Sequence, residues 1–220
     1  KIGSMRHRWK RRLRRLPAKK WLAAGFVLTI PVLALAASCG GPPKNPHDLC
    51  AVFDEKRSWY RATRRSFKDW GVPEAIQMAV IYQESGFRRK VRPPRRKILW
   101  IFPGPRPSSA YGYAQVVEPT WRDFQESTGR RRAERDDFAD VAHFLGWYGD
   151  HIHRATGVAK HDAFRLYLAY HEGPRGYARG DYRGEPSLLA GARSVATRAS
   201  LYQRQYMGCR KRLANWWALW

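Results

Sequence analysis

The chain has 220 residues, which suffices for one domain of ordinary size with a short appendage and excludes two generous domains. Its 42 Lys and Arg against 18 Asp and Glu give a net charge of +24, which would suit an anionic polymer or a membrane surface. Ten of these basic residues fall within residues 1–20, so the rest of the chain has a net charge of +14. Because the chain has no recognisable RNA- or DNA-binding module, we do not expect nucleic acid as a partner.

An export signal is predicted at the start of the chain. The basic residues 1–20 precede an apolar run, residues 21–38, that ends in small residues. This order is typical of a secretory signal peptide, here residues 1–38. The run of about 18 residues is near the lower limit for spanning a bilayer, so an uncleaved anchor is the alternative. Residues 1–4 precede the first Met and are interpreted as a cloning remnant or an upstream extension.

The end of this signal suggests a lipid anchor. Ala36-Ala37-Ser38-Cys39 resembles a bacterial lipobox, in which the Cys is lipidated and becomes the new N-terminus, although Ala36 stands where Leu is usual. A plain signal peptide with an incidental Cys is the alternative. With residues 39–45 as lipidated Cys and tether, we expect a lipoprotein of the cell envelope on the periplasmic face of a membrane. Gly40 would by analogy permit sorting to the outer membrane.

Two cysteines then remain, Cys50 near the start of the mature domain and Cys209 near its end. An exported chain meets an oxidising compartment, so we expect a disulfide between them that ties the two ends together. Two buried free thiols are the alternative. The seven His residues are scattered without a zinc-binding pattern, and we expect no metal and no cofactor.

Helical periodicity dominates residues 46–210, and no segment shows sustained strand alternation, which predicts an all-α domain. Asn45 and Pro46 predict the start of a long amphipathic helix over 46–70, and Pro73 opens a second helix that closes at Gly86. The remaining helices are predicted near 118–128, 136–149, 161–172 and 186–207. An aromatic tail, residues 211–220, ends the chain.

The stretch between Arg88 and Ser109 interrupts the helices. Its many prolines exclude a continuous helix and predict an exposed basic loop with an apolar centre at residues 98–102. Loops of this length inside a compact domain are usually functional or mobile.

Glu84 is the candidate catalytic residue, because it ends an otherwise apolar helix face. The partial negative charge of a helix C-terminus and apolar surroundings both disfavour the ionised carboxyl and raise its pKa. A general acid that protonates a glycosidic oxygen near neutral pH requires this condition. The alternative is a solvated helix-end carboxylate paired with Arg88 or Arg89.

Three blocks resemble, in order, the soluble-lytic-transglycosylase-like family, which is related to goose lysozyme. Gln83 to Phe87 resembles the family's Glu-Ser-x-Phe segment, which bears the catalytic acid. Residues 109–121 resemble its Gly-x-x-Gly-Leu-Met-Gln segment and Pro-x-Thr sequel, and residues 168–174 resemble its Ala-Tyr-Asn-x-Gly-Pro block. The resemblance covers about residues 70–205 and implies a lysozyme-like helical fold.

The resemblance also implies roles for single residues. Glu84 would act as acid and then as base, and Ser85 would hydrogen-bond near the reacting sugar. Gln115 would line the cleft, and Tyr170 would face the acid across it.

Other positions depart from the family pattern and inherit no established role. His171 replaces the usual Asn, and Tyr113-Ala114 replaces Leu-Met. We keep His171, Tyr113 and Tyr182 as candidate substrate contacts, with a place in the core as the alternative for Tyr113.

The implied activity is lytic cleavage of peptidoglycan glycan strands between N-acetylmuramic acid and N-acetylglucosamine. The muramoyl C6 hydroxyl closes a 1,6-anhydro ring without water, so one carboxyl suffices, and the tethered nucleophile has the advantage of proximity. We expect the protein to be a monomer.

Two alternatives stay open. A lysozyme-like hydrolase would need a second carboxylate to direct water, for which the candidates are Glu118, Asp123, Glu172 and Asp181. A non-catalytic wall-binding lipoprotein would instead use the basic loop to contact anionic polymer or lipid.

Overall fold

The computed structural model describes residues 41–95, 97–98 and 102–215. The predictions for the export signal, for lipidation of Cys39, for the tail beyond Asn215 and for residues 99–101 of the loop centre lie outside these residues. Within the described ranges, no helix is both long and apolar enough to cross a membrane.

Helices make up nearly all the regular structure of the described residues, which confirms the all-α fold class. In chain order they are α1 (Leu49–Glu55), α2 (Arg57–Trp70), α3 (Glu74–Ser85), α4 (Glu118–Thr128), α5 (Phe138–Thr156), α6 (Ala163–Arg179) and α7 (Pro186–Ala214), with a 3-10 helix at Asp181–Gly184. Two short strands, β1 (Lys97–Ile98) and β2 (Phe102–Pro103), pair antiparallel within the predicted loop.

The single helix predicted over 46–70 is wrong, because the chain breaks at Lys56 (φ −116°, ψ 67°) and forms α1 and α2. The cap is Asp48 rather than Asn45, since the Asp48 carboxylate accepts the N–H groups of Cys50 and Ala51. Apolar residues on both sides of the break are buried, so the helical periodicity continues through it.

The α3 helix passes through the core. Every residue from Glu74 to Ile81 is buried, and α3 packs against α7, α2 and α5. A helix that is buried all round has no wet face for most of its length. It reaches the surface only in its last turn. The helix ends at Ser85, and Gly86 in the left-handed conformation caps it. The core therefore sets the position of Glu84.

A disulfide joins Cys50 in α1 to Cys209 in α7 across 159 residues, so the predicted pairing is present. Polar contacts reinforce the same junction. The Leu49 N–H donates to Gln205 Oε1 at 2.9 Å, and the Arg212 guanidinium forms two hydrogen bonds of 2.6 Å with the Asp54 carboxylate. The first and last helices of the described domain are thus fastened together.

Replacing both cysteines, Cys50→Ser with Cys209→Ser, should lower the free energy of unfolding by about 2–5 kcal/mol, because the unfolded chain regains a long loop. Urea unfolding under oxidising conditions measures the change. Met207→Ser, at a residue of α7 that is 49% exposed, is the control and should change stability by less than about 0.5 kcal/mol. Equal stabilities of the double variant and the control would show that the bond contributes nothing.

Candidate active site

A cavity of about 510 Å³ contains Glu84 in its wall. Its other walls come from the segment before α4, from α5 and from the middle of α6. The lining residues are Glu84, Ser108, Ala110, Gln115, Val116, Val117, Thr120, Phe144, Tyr148, Tyr170, His171, Glu172 and Gly173. All three of the blocks found in the sequence thus contribute to one cavity.

A second cavity, of about 430 Å³, meets the first at His171 and Glu172, which line both. Its wall contains Tyr167 of α6 and Gly191 of α7, together with the carboxylates Asp181 and Glu185. The two cavities form a cleft on either side of these shared α6 residues.

A larger cavity, of about 910 Å³, lies elsewhere, between α2, α3, α6 and α7. It borders Glu74 at the start of α3 and holds no residue of the three blocks. We assign the active site to the smaller cavity, because it combines an acid with residues from all three blocks.

The surroundings of the Glu84 carboxyl shift its pKa. Its Oε1 accepts a hydrogen bond from the Tyr167 hydroxyl at 2.8 Å. Burial raises the pKa of Glu84 above its ordinary value, while the Tyr167 hydrogen bond and the nearby His171 act in the opposite direction. The net direction is upward, toward the neutral form that a proton donor to a sugar oxygen requires.

Neither arginine of the alternative interpretation pairs with Glu84. The Arg88 guanidinium donates to the Ser85 carbonyl at 2.8 Å, and that of Arg89 donates to the Asp136 carbonyl at 2.8 Å. Glu84 therefore does not behave as a solvated helix-end carboxylate.

The segment 109–117 is fastened by side chains. The Arg135 guanidinium donates to the carbonyls of Ser109 and Val116, both at 2.8 Å. The Gln115 amide donates to Val91 and Gly112 carbonyls at 3.0 and 2.9 Å, and Gln115 itself has a positive φ of 50°. These bonds hold this wall of the cavity in one conformation.

The α6 helix breaks where it enters the site. Gly173 has φ 72° and ψ 162°, a conformation that favours glycine, and Pro174 follows it. The proline ring disfavours helical backbone in the residue before it. The break leaves Tyr170, His171 and Glu172 in the last turn before it, with each side chain in the cavity wall.

Among the predicted site residues, the structure brings Gln115, Tyr170 and His171 to the cavity of Glu84. Tyr170 does not bond to the acid, because its hydroxyl donates to the Ala114 carbonyl at 2.5 Å. His171 lies 3.3 Å from Glu172 through Nδ1 and Oε1, and its side chain is 59% exposed. Its role as a substrate contact stays a prediction.

Three other predicted contacts lie outside the lining of this cavity. Ser85 is buried, and its hydroxyl donates to the Ile81 carbonyl at 3.1 Å, so it does not reach a sugar in this conformation. Tyr113 is a core aromatic whose ring lies edge-on to Trp59. Tyr182 stacks on Tyr177 at 5.3 Å, outside the lining of both cavities.

Two tyrosines of the site were missed from the sequence. Tyr167 precedes Tyr170 by three residues, a spacing that places both on one helix face. Their rings are stacked at 6.2 Å. Tyr148 enters from α5, and burial raises its pKa to about 12. The helical spacing would have found Tyr167, whereas no pattern connects Tyr148 to the three blocks.

The four carboxylates considered as a second catalytic group differ in their surroundings. Glu118 forms an ion pair with Arg135, Asp181 pairs with Arg179, and Asp123 is exposed on α4. Only Glu172 of the four lines the cavity of Glu84. In the described part of the chain, no group of three or more His, Cys, Asp or Glu residues is arranged to hold a metal ion.

A helical domain with an acid of raised pKa in an open cleft has the architecture of the lysozyme-like, glycan-cleaving enzymes. The family model of the transglycosylase SLT domain matches residues 26–209, so the chain belongs to that family. Membership implies a transglycosylase acting on peptidoglycan. Searches of curated proteins and of solved structures found no match.

Gly112→Ala should disrupt the cavity wall. Gly112 has φ +81°, and an added Cβ would lie 1.9 Å from the Arg135 carbonyl oxygen. We expect a loss of about 3 kcal/mol or more in the free energy of unfolding, from backbone strain together with overpacking.

The matched control is Gly129→Ala, because Gly129 has φ +69° and no atom within 4 Å of an added Cβ. It should lose only the strain of about 1–2 kcal/mol. Urea unfolding compares the two variants, and equal losses would mean that the contact with Arg135 is unimportant.

Proposed function

We propose that this protein is a peptidoglycan lytic transglycosylase in which Glu84 acts as general acid and then as general base. It would cleave the β-1,4 bond between N-acetylmuramic acid and N-acetylglucosamine and leave a 1,6-anhydro end. The observation that carries the proposal is the partly buried Glu84 carboxyl of raised pKa, in a cavity to which all three blocks contribute.

The reaction proceeds through two proton transfers. Glu84 first donates its proton to the glycosidic oxygen as the bond from that oxygen to the muramoyl C1 breaks. The resulting carboxylate then accepts the proton of the muramoyl C6 hydroxyl as its oxygen bonds to C1. The acid is regenerated and no water is consumed. Since the nucleophile belongs to the substrate, the protein needs no second carboxylate.

The second candidate function is hydrolysis, which Glu172 supports by lining the same cavity as Glu84. A carboxylate on the other side of the scissile bond directs water in an inverting glycosidase. The two reactions yield different products, because hydrolysis leaves a reducing end and transglycosylation an anhydro end.

Glu84→Gln keeps the shape of the side chain but removes the proton donor, so we expect the rate of glycan cleavage to fall by at least about 100-fold. Mass spectrometry of muropeptides released from purified peptidoglycan measures both the rate and the chemical end. Glu126→Gln, at an exposed position of α4, is the control and should cleave like the wild type.

The products decide between the candidate functions. Anhydro-muramoyl ends that disappear in Glu84→Gln would support the proposal. Reducing ends that disappear in Glu172→Gln would establish a hydrolase instead. No products from the wild type would favour a wall-binding lipoprotein.

We further propose, from the sequence, that the protein is a lipoprotein of the periplasmic face of a membrane, the outer membrane by analogy. Cys39→Ser should then abolish metabolic labelling with radioactive palmitate. Cys50→Ser, which removes a cysteine of the disulfide, is the control and should keep the label. Label retained by Cys39→Ser would refute lipidation at this residue.

A further inference from the structure

Tyr167 contacts the catalytic carboxyl directly. Its side chain on α6 is 6% exposed, and its hydroxyl donates to Glu84 Oε1 at 2.8 Å. The two residues are 83 positions apart in the sequence, so tertiary packing alone creates the contact. The bond engages one of the two carboxyl oxygens, Oε1.

The other two tyrosines near Glu84 are placed differently. The Tyr170 hydroxyl donates to the Ala114 carbonyl, and Tyr148 approaches the cavity from α5. Within the described residues, Tyr167 is the hydrogen-bond donor found on the Glu84 carboxyl. Its ring is held by stacking on Tyr170, with ring centroids 6.2 Å apart.

A carboxyl that acts first as an acid and then as a base must be sufficiently stable in both its neutral and its ionised form. Burial favours neutral Glu84 and so assists the first proton transfer. The ionised form that follows lacks full hydration, and a donor hydrogen bond to a carboxylate is stronger than one to a neutral group. A fixed donor also restricts rotation of the carboxyl, so that one oxygen stays directed at the reacting atoms.

We infer that Tyr167 is a positioning residue of this site, orienting Glu84 and stabilising its carboxylate between proton donation and proton recovery. This inference rests on the proposed function. Tyr167 keeps its own proton throughout: the Glu84 proton passes to the leaving oxygen, and the C6 hydroxyl proton returns to Glu84. Burial and the adjacent Glu84 raise the pKa of Tyr167 well above its ordinary value, so it remains a donor.

Tyr167→Phe replaces none of the other titratable groups around Glu84. The α6 helix supplies Tyr170, His171 and Glu172, and α5 supplies Tyr148. The segment before α4 supplies the uncharged Ser108, Ala110 and Gln115. Asp181 of the 3-10 helix and Glu185, immediately before α7, line the second cavity together with Tyr167. A change in the pH profile of Tyr167→Phe would therefore report the lost hydrogen bond.

The test compares kcat/KM against pH for the wild type, Tyr167→Phe and Tyr206→Phe, using the full chain in detergent on purified peptidoglycan. Tyr206 is a matched control, because its buried hydroxyl also donates to a carboxylate, Glu74 Oε1, at 3.2 Å and outside the site. Both variants lose a tyrosine-to-glutamate hydrogen bond.

The direction of the expected shift follows from the proton donor. Activity requires protonated Glu84 and falls as pH rises through its pKa. Loss of the donor bond destabilises the carboxylate and raises that pKa, so Tyr167→Phe should move the alkaline limb up by about one pH unit. Its kcat should fall about tenfold with little change in KM, because the carboxyl is no longer fixed. Tyr206→Phe should show the alkaline limb of its pH profile at the same pH as the wild type.

Three outcomes would overturn the inference while leaving the proposed function in place: an active wild type with an unmoved limb in folded Tyr167→Phe, an equal shift in Tyr206→Phe, or a rise in KM alone. A wild type that releases no anhydro products would refute the proposed function itself.

If Tyr167→Phe fails to fold, a fluorinated tyrosine at position 167 keeps the ring and makes the hydroxyl a stronger donor. The alkaline limb should then move to lower pH, and an unmoved limb would refute the role of Tyr167.

Discussion

The burial of α3 is the constraint on which the rest of the site depends. From Glu74 to Ile81 this helix has no exposed residue, so its neighbours hold it on all sides. Glu84 follows within one turn, at the point where the helix leaves the core. The carboxyl therefore inherits the rigidity of the core and part of its low polarity, which together give a proton donor a fixed position and a raised pKa.

Local irregularities complete the cavity around that carboxyl. The break at Gly173 ends the first part of α6 beside Glu84, and Arg135 bonds two carbonyls of the segment that carries Gln115. Both features depart from regular helical structure at the points where the three blocks meet. Strained or irregular backbone persists where surrounding contacts determine it, and functional sites are where it concentrates.

The prediction of structure from periodicity failed where the pattern carried no information. The apolar spacing continues across Lys56 because α1 and α2 bury their apolar residues against the same core. The pattern therefore does not indicate the break between the two helices. The resemblance likewise implied that Ser85 lies near the sugar, and Tyr113 was a candidate contact because it lies in the segment that resembles the family's second block. Their side chains instead point into the core, because adjacent residues on a helix or in a turn face different directions.

The sequence by itself determined the helical class, the family, the candidate acid Glu84 and the cysteines available for pairing, since each follows from spacing or from short blocks of residues. Tertiary structure alone decided which groups surround that acid. Of the four candidate carboxylates, it placed only Glu172 in the wall of the Glu84 cavity. It also directed the Tyr170 hydroxyl to a backbone carbonyl and the Tyr167 hydroxyl to Glu84. The physical reason is that hydrogen bonds and burial depend on distances between residues far apart in the chain, which periodicity and local motifs do not encode.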